Sequence, residues 1–131
     1  MDIVVDTSIL IAVITNEATR AQRIARTEGA VLYAPASVPY EVGNALSAML
    51  KRKRATLDQV WQAVTGYKQI PIRLLEVDLT QSLALSNQLD IYAYDAYLIA
   101  CALNQQCPLL TLDSGLRYAA RRAGADVLEL A

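Results

Sequence analysis

Short apolar runs alternate with helical patterns along this chain, and that alternation restricts its fold more than any other feature. Residues 2–6 (DIVVD) read as a buried strand, and Thr7 or Ser8 is placed to cap an apolar helix running to about Asn16. A second helix is expected over 17–27, ended by Gly29, and 31–34 is a strand closed by Pro35. Ser37 stands as the N-cap of a helix with Pro39 in its first turn, which continues through Leu46 and Leu50 to the basic run Lys51-Arg52-Lys53-Arg54. Thr56 opens the next helix, to about Lys68; 72–77 is a strand; Thr80 caps a helix to about Leu89. The stretch YDAYLIACALNQQ is helical, PLLTL is a strand, Gly115 begins a basic helix, and 127–130 is the last strand. Strands separated by helices form parallel sheets covered on both faces. The expected fold is therefore α/β, a three-layer α/β/α arrangement on a short parallel sheet.

At 131 residues, with 54% hydrophobic and 19% charged residues, 5 Gly and 4 Pro, the chain matches the size and composition of one compact domain spanning 1–131. No basic region precedes the first apolar run, and Asp6 interrupts that run far short of the roughly 20 apolar residues of a membrane span. A cytoplasmic protein with no membrane association is expected. Cys101 and Cys107 read as reduced thiols.

The chain contains no histidine, which excludes Ser-His and Cys-His nucleophiles, imidazole bases and the usual zinc sites. It also lacks a G-x-x-x-x-G-K-[ST] loop and a G-x-G-x-x-G turn, so neither common nucleotide cradle is available. Chemistry has to run on carboxylates, hydroxyls, Lys, Tyr or a bound metal.

Four acids occupy positions where acids are costly. Asp6 and Asp113 each end an apolar run (IVVD, LLTLD) and precede a helix, so two strands deliver a carboxylate to one edge of the sheet, where open parallel sheets hold their ligands. Either alone could be a simple N-cap. Asp95 falls on the same helical side as Leu98, Ile99 and Ala102, inside an apolar stripe; first-turn dipole stabilisation of about 0.3–1 kcal/mol would be available on the solvent face too, so it does not explain this placement. Glu41 flanks the stripe Val38, Val42, Ala45, Leu46, Met49, with Asn44 one turn on.

Four oxygen donors without histidine or thiolate specify a hard divalent cation, Mg²⁺ or Mn²⁺. Such a cation lets clustered carboxylates stay charged and can activate water for attack on phosphorus without an imidazole. Thr7, Ser8, Asn44 and Thr111 are candidates to orient these carboxylates from the shell behind them.

These motifs resemble the PIN domain family of metal-dependent ribonucleases, and within it the VapC-type toxins of toxin–antitoxin pairs. The likeness is carried by VVDTS (Asp6), the helix opening SVPYE (Glu41), the tyrosine-flanked YDA (Asp95) and the late TLD (Asp113), in order over nearly the whole chain. It implies a Rossmann-like fold, Mg²⁺ or Mn²⁺ dependence, endonucleolytic cleavage of RNA, a homodimer and a cognate antitoxin protein. It also implies that Asp6, Asp95 and Asp113 are metal ligands, Glu41 a ligand directly or through water, and Thr111 a supporting hydroxyl. Many members carry one more acid near the last motif; Ser114 and Gly115 follow Asp113 here.

The charge balance accommodates RNA. Acids number 13 against 12 Lys and Arg, and setting aside the four site acids leaves 9, a mildly basic remainder. Lys51, Arg52, Lys53 and Arg54, with Arg117, Arg121 and Arg122, are the candidate phosphate contacts, although such runs are often only solvated helix ends. The alternatives are a housekeeping RNA-processing nuclease of the same family and a PIN-like binding module without catalysis, docking a partner through apolar helices around Leu10, Ile14, Leu46 and Leu50. An aspartyl phosphatase would show a second acid two residues after Asp6, where Ser8 stands.

Overall fold

The computed structural model of the chain describes residues 1–15 and 29–129. Among the described residues the element order is β1 (Asp2–Val5), α1 (Thr7–Ile14), β2 (Val31–Pro35), α2 (Val38–Lys51), α3 (Leu57–Lys68), β3 (Ile72–Leu75), α4 (Leu79–Leu89), α5 (Ala93–Gln105), β4 (Leu109–Leu110) and α6 (Ser114–Arg122). The helix expected over 17–27 lies outside the described residues.

All strand pairings are parallel, in the order β3-β2-β1-β4. Pleating sends successive side chains to opposite faces, and β1 divides its residues accordingly. Ile3 and Val5 join Leu110, Ile9, Leu10, Val42 and Leu46 in one core under α1, α2 and α3, while Val4 joins Leu109, Leu98, Ile99 and Leu116 in a second core under α4, α5 and α6. Two cores on the two faces of one sheet make the three layers that the sequence pattern implies.

Strand order places the functional edge. The chain adds β2 and β3 on one side of β1 and then returns to set β4 on the other, so connections leave β1 and β4 in opposite directions. The crevice of an open parallel sheet lies at this reversal, outside the carboxyl ends of the two strands.

Several local expectations are corrected. The cap of α1 is Asp6, not Thr7 or Ser8: its Oδ1 accepts from the Ile9 amide at 3.1 Å. Ser37 does stand at the N-cap position of α2, but with helical backbone angles and no capping bond, its hydroxyl being turned to Glu41 instead. Thr56 does cap α3, in a reciprocal capping box with Gln59. Asp78 rather than Thr80 caps α4, because the longer reach of a carboxylate from outside the helix meets the Thr80 amide at 3.0 Å. The strand expected over 72–77 stops at Leu75, and PLLTL is reduced to Leu109–Leu110. Of the strand expected over 127–130, residue 130 lies outside the described residues, and 127–129 pair through a parallel bridge from Val127 to Leu109, held by the Leu109 and Leu128 amides. Among the described residues, no helix is long and apolar enough to cross a membrane.

Candidate functional site

Each of the four acids stands at the N-terminus of a different helix. Asp6 caps α1 and Asp113 caps α6, Glu41 lies in the first turn of α2, and Asp95 lies in the first turn of α5. An acid at a helix N-terminus gains typically 0.3–1 kcal/mol, and roughly 2 kcal/mol in the best partly buried geometry. Four converging N-termini therefore offset part, but not all, of the cost of gathering four negative charges.

Asp6 is the most deeply set, with 5% exposure. Its Oδ1 accepts from Ser8 Oγ at 2.6 Å as well as from the Ile9 amide, and its Oδ2 accepts from the buried Thr111 hydroxyl. The same two hydroxyls tie down the β4 side: Ser8 Oγ accepts from the Leu112 amide at 3.0 Å, and Thr111 Oγ1 accepts from the Asp113 amide at 3.0 Å. Ser8 and Thr111 thus lock the carboxyl ends of β1 and β4 together around one carboxylate. Asp113 is exposed, and its Oδ1 accepts from the Gly115 and Leu116 amides at 2.8 and 3.3 Å. Glu41 is half-buried, with Oε2 accepting from Ser37 Oγ at 3.1 Å. Asp95 is half-buried, and its carboxylate has no hydrogen-bond partner among the described residues.

The acids sense one another. Burial pushes the Asp6 carboxyl above its ordinary range, opposed by the Ser8, Thr111 and Ile9 donors and reinforced by the charge on Asp113. Burial likewise raises Glu41, against the Ser37 donor and with the charges of Asp6 and Asp95 adding to the shift. Asp95 is raised by burial first and then by Asp113 and Asp6. Burial is the largest cause in each case, and the charge of at least one neighbouring acid adds to it.

Among the described residues no three of these side chains are drawn together tightly enough to grip a bare ion. The chemistry of the donor set nevertheless suits a hard cation: all of it is oxygen, and Asp95 has no competing hydrogen bond among the described residues.

The remaining candidates divide. Ser8 and Thr111 bond directly to Asp6. Thr7 does not: its hydroxyl is buried without a partner among the described residues. Asn44 is exposed and bonds to none of the four acids. Arg117 Nη1 donates to the Thr111 carbonyl at 3.1 Å, which sets its guanidinium beside the site. Arg121 pairs with Glu129, and Arg122 lies over the Tyr118 ring, 5.6 Å from its centroid. Lys51, Arg52, Lys53 and Arg54 are exposed at the opposite end of α2 from Glu41, about 15 Å away at 1.5 Å per residue. Sequence reasoning missed Ser37 as the partner of Glu41, although the spacing S-x-x-x-E, four residues on a helix, contains that contact.

A short parallel sheet in three layers, with acids at the helix N-termini along one edge, defines an α/β domain. The chain belongs to the PIN domain family, a nuclease superfamily: the family model matches residues 3–122. The fold is similar to that of PAE2754 from Pyrobaculum aerophilum, with TM-score 0.72 and 22% identity over 91% of this chain and 79% of that one. It is also similar to FitAcB from Neisseria gonorrhoeae, with TM-score 0.68 and 18% identity over 98% of this chain and 97% of that one. No curated protein matches the chain.

Proposed function

We propose that the protein is a divalent-metal-dependent endoribonuclease, the toxin of a VapBC-type pair, acting as a homodimer held in check by a cognate antitoxin protein, with residues 1–131 forming a single cytoplasmic domain. The observation that carries the reading is the convergence of Asp6, Glu41, Asp95 and Asp113 from four helix N-termini onto the reversal point of the sheet. Membership of the PIN family supports hydrolysis of a nucleic acid backbone. The order of the four motifs supports the VapC-type assignment.

In this mechanism Asp6, Asp95 and Asp113 would hold Mg²⁺ or Mn²⁺, with Glu41 bound directly or through water. Bound there, the cation supplies Lewis acidity that activates water and offsets charge on the phosphate. Asp6 is the fixed anchor, oriented by Ser8 and Thr111, so that it is presented in one geometry. Asp95, bare of donors among the described residues, has both oxygens available. Glu41, half-buried in the first turn of α2 and held by the Ser37 hydroxyl, would face the cation from the side opposite β4 or act through one of its waters. Arg117, set beside Asp113, is placed to meet a phosphate.

The test is cleavage of a mixed cellular RNA pool by purified protein with Mg²⁺, Mn²⁺ or EDTA, beside Asp95→Asn. Discrete fragments made only with metal, and not by the variant, support the assignment. Wild-type and Asp95→Asn proteins that cut alike, or cutting that persists in EDTA, overturn it.

A further inference from the structure

The carboxylates account for a phosphate and a cation but leave unexplained what surrounds them. Chain-wide there are seven tyrosines and no phenylalanine. Most of the exposed aromatic side chains among the described residues sit on the same helix N-terminal turns as the acids. Tyr40, 83% exposed, immediately precedes Glu41 in the first turn of α2. Tyr92, 89% exposed, is the N-cap of α5, three residues before Asp95 and so on neighbouring ground. Tyr94, 57% exposed, immediately precedes Asp95, and the edge of an aromatic pair with Tyr97, centroids 5.8 Å apart at 86°, holds its ring in place. Tyr118, exposed on α6, already carries a guanidinium across its face.

Single exposed rings are ordinary on a protein surface, but Tyr40, Tyr92 and Tyr94 share the helix N-terminal turns that carry Glu41 and Asp95, interspersed with charge and not gathered into an apolar patch. A chain of alternating phosphates and flat bases fits that distribution, with acids and cation taking phosphate and rings taking bases. A protein partner would favour a contiguous apolar face.

We propose that Tyr40, Tyr92 and Tyr94 form a base-stacking rim that grips unpaired nucleotides flanking the phosphate at the acid site. The proposal rests on the nuclease reading and adds to it the residues that select the substrate. Bases paired inside a duplex have no free face to offer, whereas every unpaired base does, so the rim selects RNA by strandedness, with weak preference for sequence. Asn44, four residues after Tyr40 and therefore on the same face of α2, is placed to add an edge contact to a base stacked on Tyr40.

The experiment measures binding of a fluorescein-labelled single-stranded oligoribonucleotide by anisotropy in EDTA, so that cleavage does not enter, and then KM and kcat with Mn²⁺. Tyr92→Leu and Tyr94→Leu are expected to weaken binding about 5- to 150-fold each, the range of one lost base–aromatic stack, and to raise KM with kcat little changed. Tyr92→Phe and Tyr94→Phe should bind as wild type, since a phenyl ring also stacks. Trp61→Leu, an exposed aromatic on α3 past the far end of α2, should be silent. An oligonucleotide with abasic positions should lose the same factor with the wild type and no more with the leucine variants. Leucine variants that bind and cleave as wild type, or a duplex bound as tightly as a single strand, overturn the rim. Unchanged RNA affinity with altered self-association by light scattering reassigns these tyrosines to a protein contact and also overturns it. A wild type that binds single strands through the tyrosines yet cleaves nothing refutes the nuclease reading and leaves the rim standing.

Discussion

The Thr111 hydroxyl donates to Asp6 Oδ2 across 105 residues of chain, a direct side-chain bond between the end of the β4 segment and the carboxylate at the end of β1. It is buried, and it has a second task, because Thr111 Oγ1 also accepts the Asp113 amide. Thr111→Val keeps the shape and deletes both. An unmet buried donor or acceptor costs about 1–3 kcal/mol, so the variant should melt several degrees lower. Loss of a group orienting a metal-binding carboxylate typically weakens metal binding 10- to 100-fold, roughly. Thr111→Ser should restore both. Thermal unfolding and Mn²⁺ titration check the pair; a valine variant that binds Mn²⁺ as wild type would mean that Asp6 is not held for the cation.

Gly115 donates its amide to Asp113 Oδ1, and a Cβ on it would stand 3.3 Å from that same oxygen. Alanine in a helix ordinarily stabilises by roughly 0.5–1 kcal/mol relative to glycine, so Gly115→Ala should keep or slightly raise the melting temperature. The crowded carboxylate has to move by a few tenths of an ångström, and catalysis is sensitive to displacements of that order. The expected outcome is undiminished stability with cleavage reduced about tenfold, read by calorimetry beside single-turnover kinetics. Full activity would show that Asp113 has slack to move.

The acid array destabilises the metal-free protein, and the direction of the effect with pH follows from the shifts. Asp6, Glu41 and Asp95 all have pKa values raised on folding, so the folded state holds protons that the unfolded state releases. Their favourable contribution is fully present below the ordinary carboxylate pKa and is lost as pH rises through the raised values. In EDTA at pH 7.5, Asp95→Asn should therefore melt above wild type, by about 3 °C for each kcal/mol relieved, and the gap should close toward pH 5. Added Mn²⁺ should raise the wild-type melting temperature and leave the variant behind. Identical melting of the two proteins at both pH values would show that Asp95 does not share the strain of the array.

The alternation of apolar runs and helical patterns was sufficient to read the three layers, because each strand is short, apolar and followed by a helix whose inward stripe matches it. The strand-ending acids were equally legible, since an aspartate closing IVV or LLTL has no apolar reason to be there. Less legible was everything decided by reach across space. Ser37 and Thr80 both look like caps, but the Ser37 hydroxyl is nearer Glu41 and the Asp78 carboxylate reaches the Thr80 amide, choices that depend on backbone angles and not on residue type. Within the described residues the last strand is one bridge, Val127 to Leu109, beside a β4 only two residues long. Thr7 and Ser8, adjacent and chemically alike, have opposite environments, since the first turn of α1 aims Ser8 at Asp6 and leaves the Thr7 hydroxyl unpartnered among the described residues.

The two basic groups differ in distance from the acids, and their variants should differ in kind. Lys53 and Arg54 lie beyond the C-terminus of α2, about 15–20 Å along the helix from Glu41, so any phosphate they meet is several nucleotides from the one being cut. Lys53→Ala and Arg54→Ala should each weaken RNA binding without regard to sequence, lower the slope of log K against log salt by about 0.7–1, and leave kcat unchanged. Arg117 is held at the Thr111 carbonyl, two residues from Asp113, so Arg117→Ala should lower kcat as well as affinity. Anisotropy at several salt concentrations, paired with saturating single-turnover rates, separates the two effects. If Lys53→Ala and Arg54→Ala leave the salt slope at its wild-type value, the basic run is only a solvated helix end, and the phosphate track has to be sought on the Arg117 side of the site.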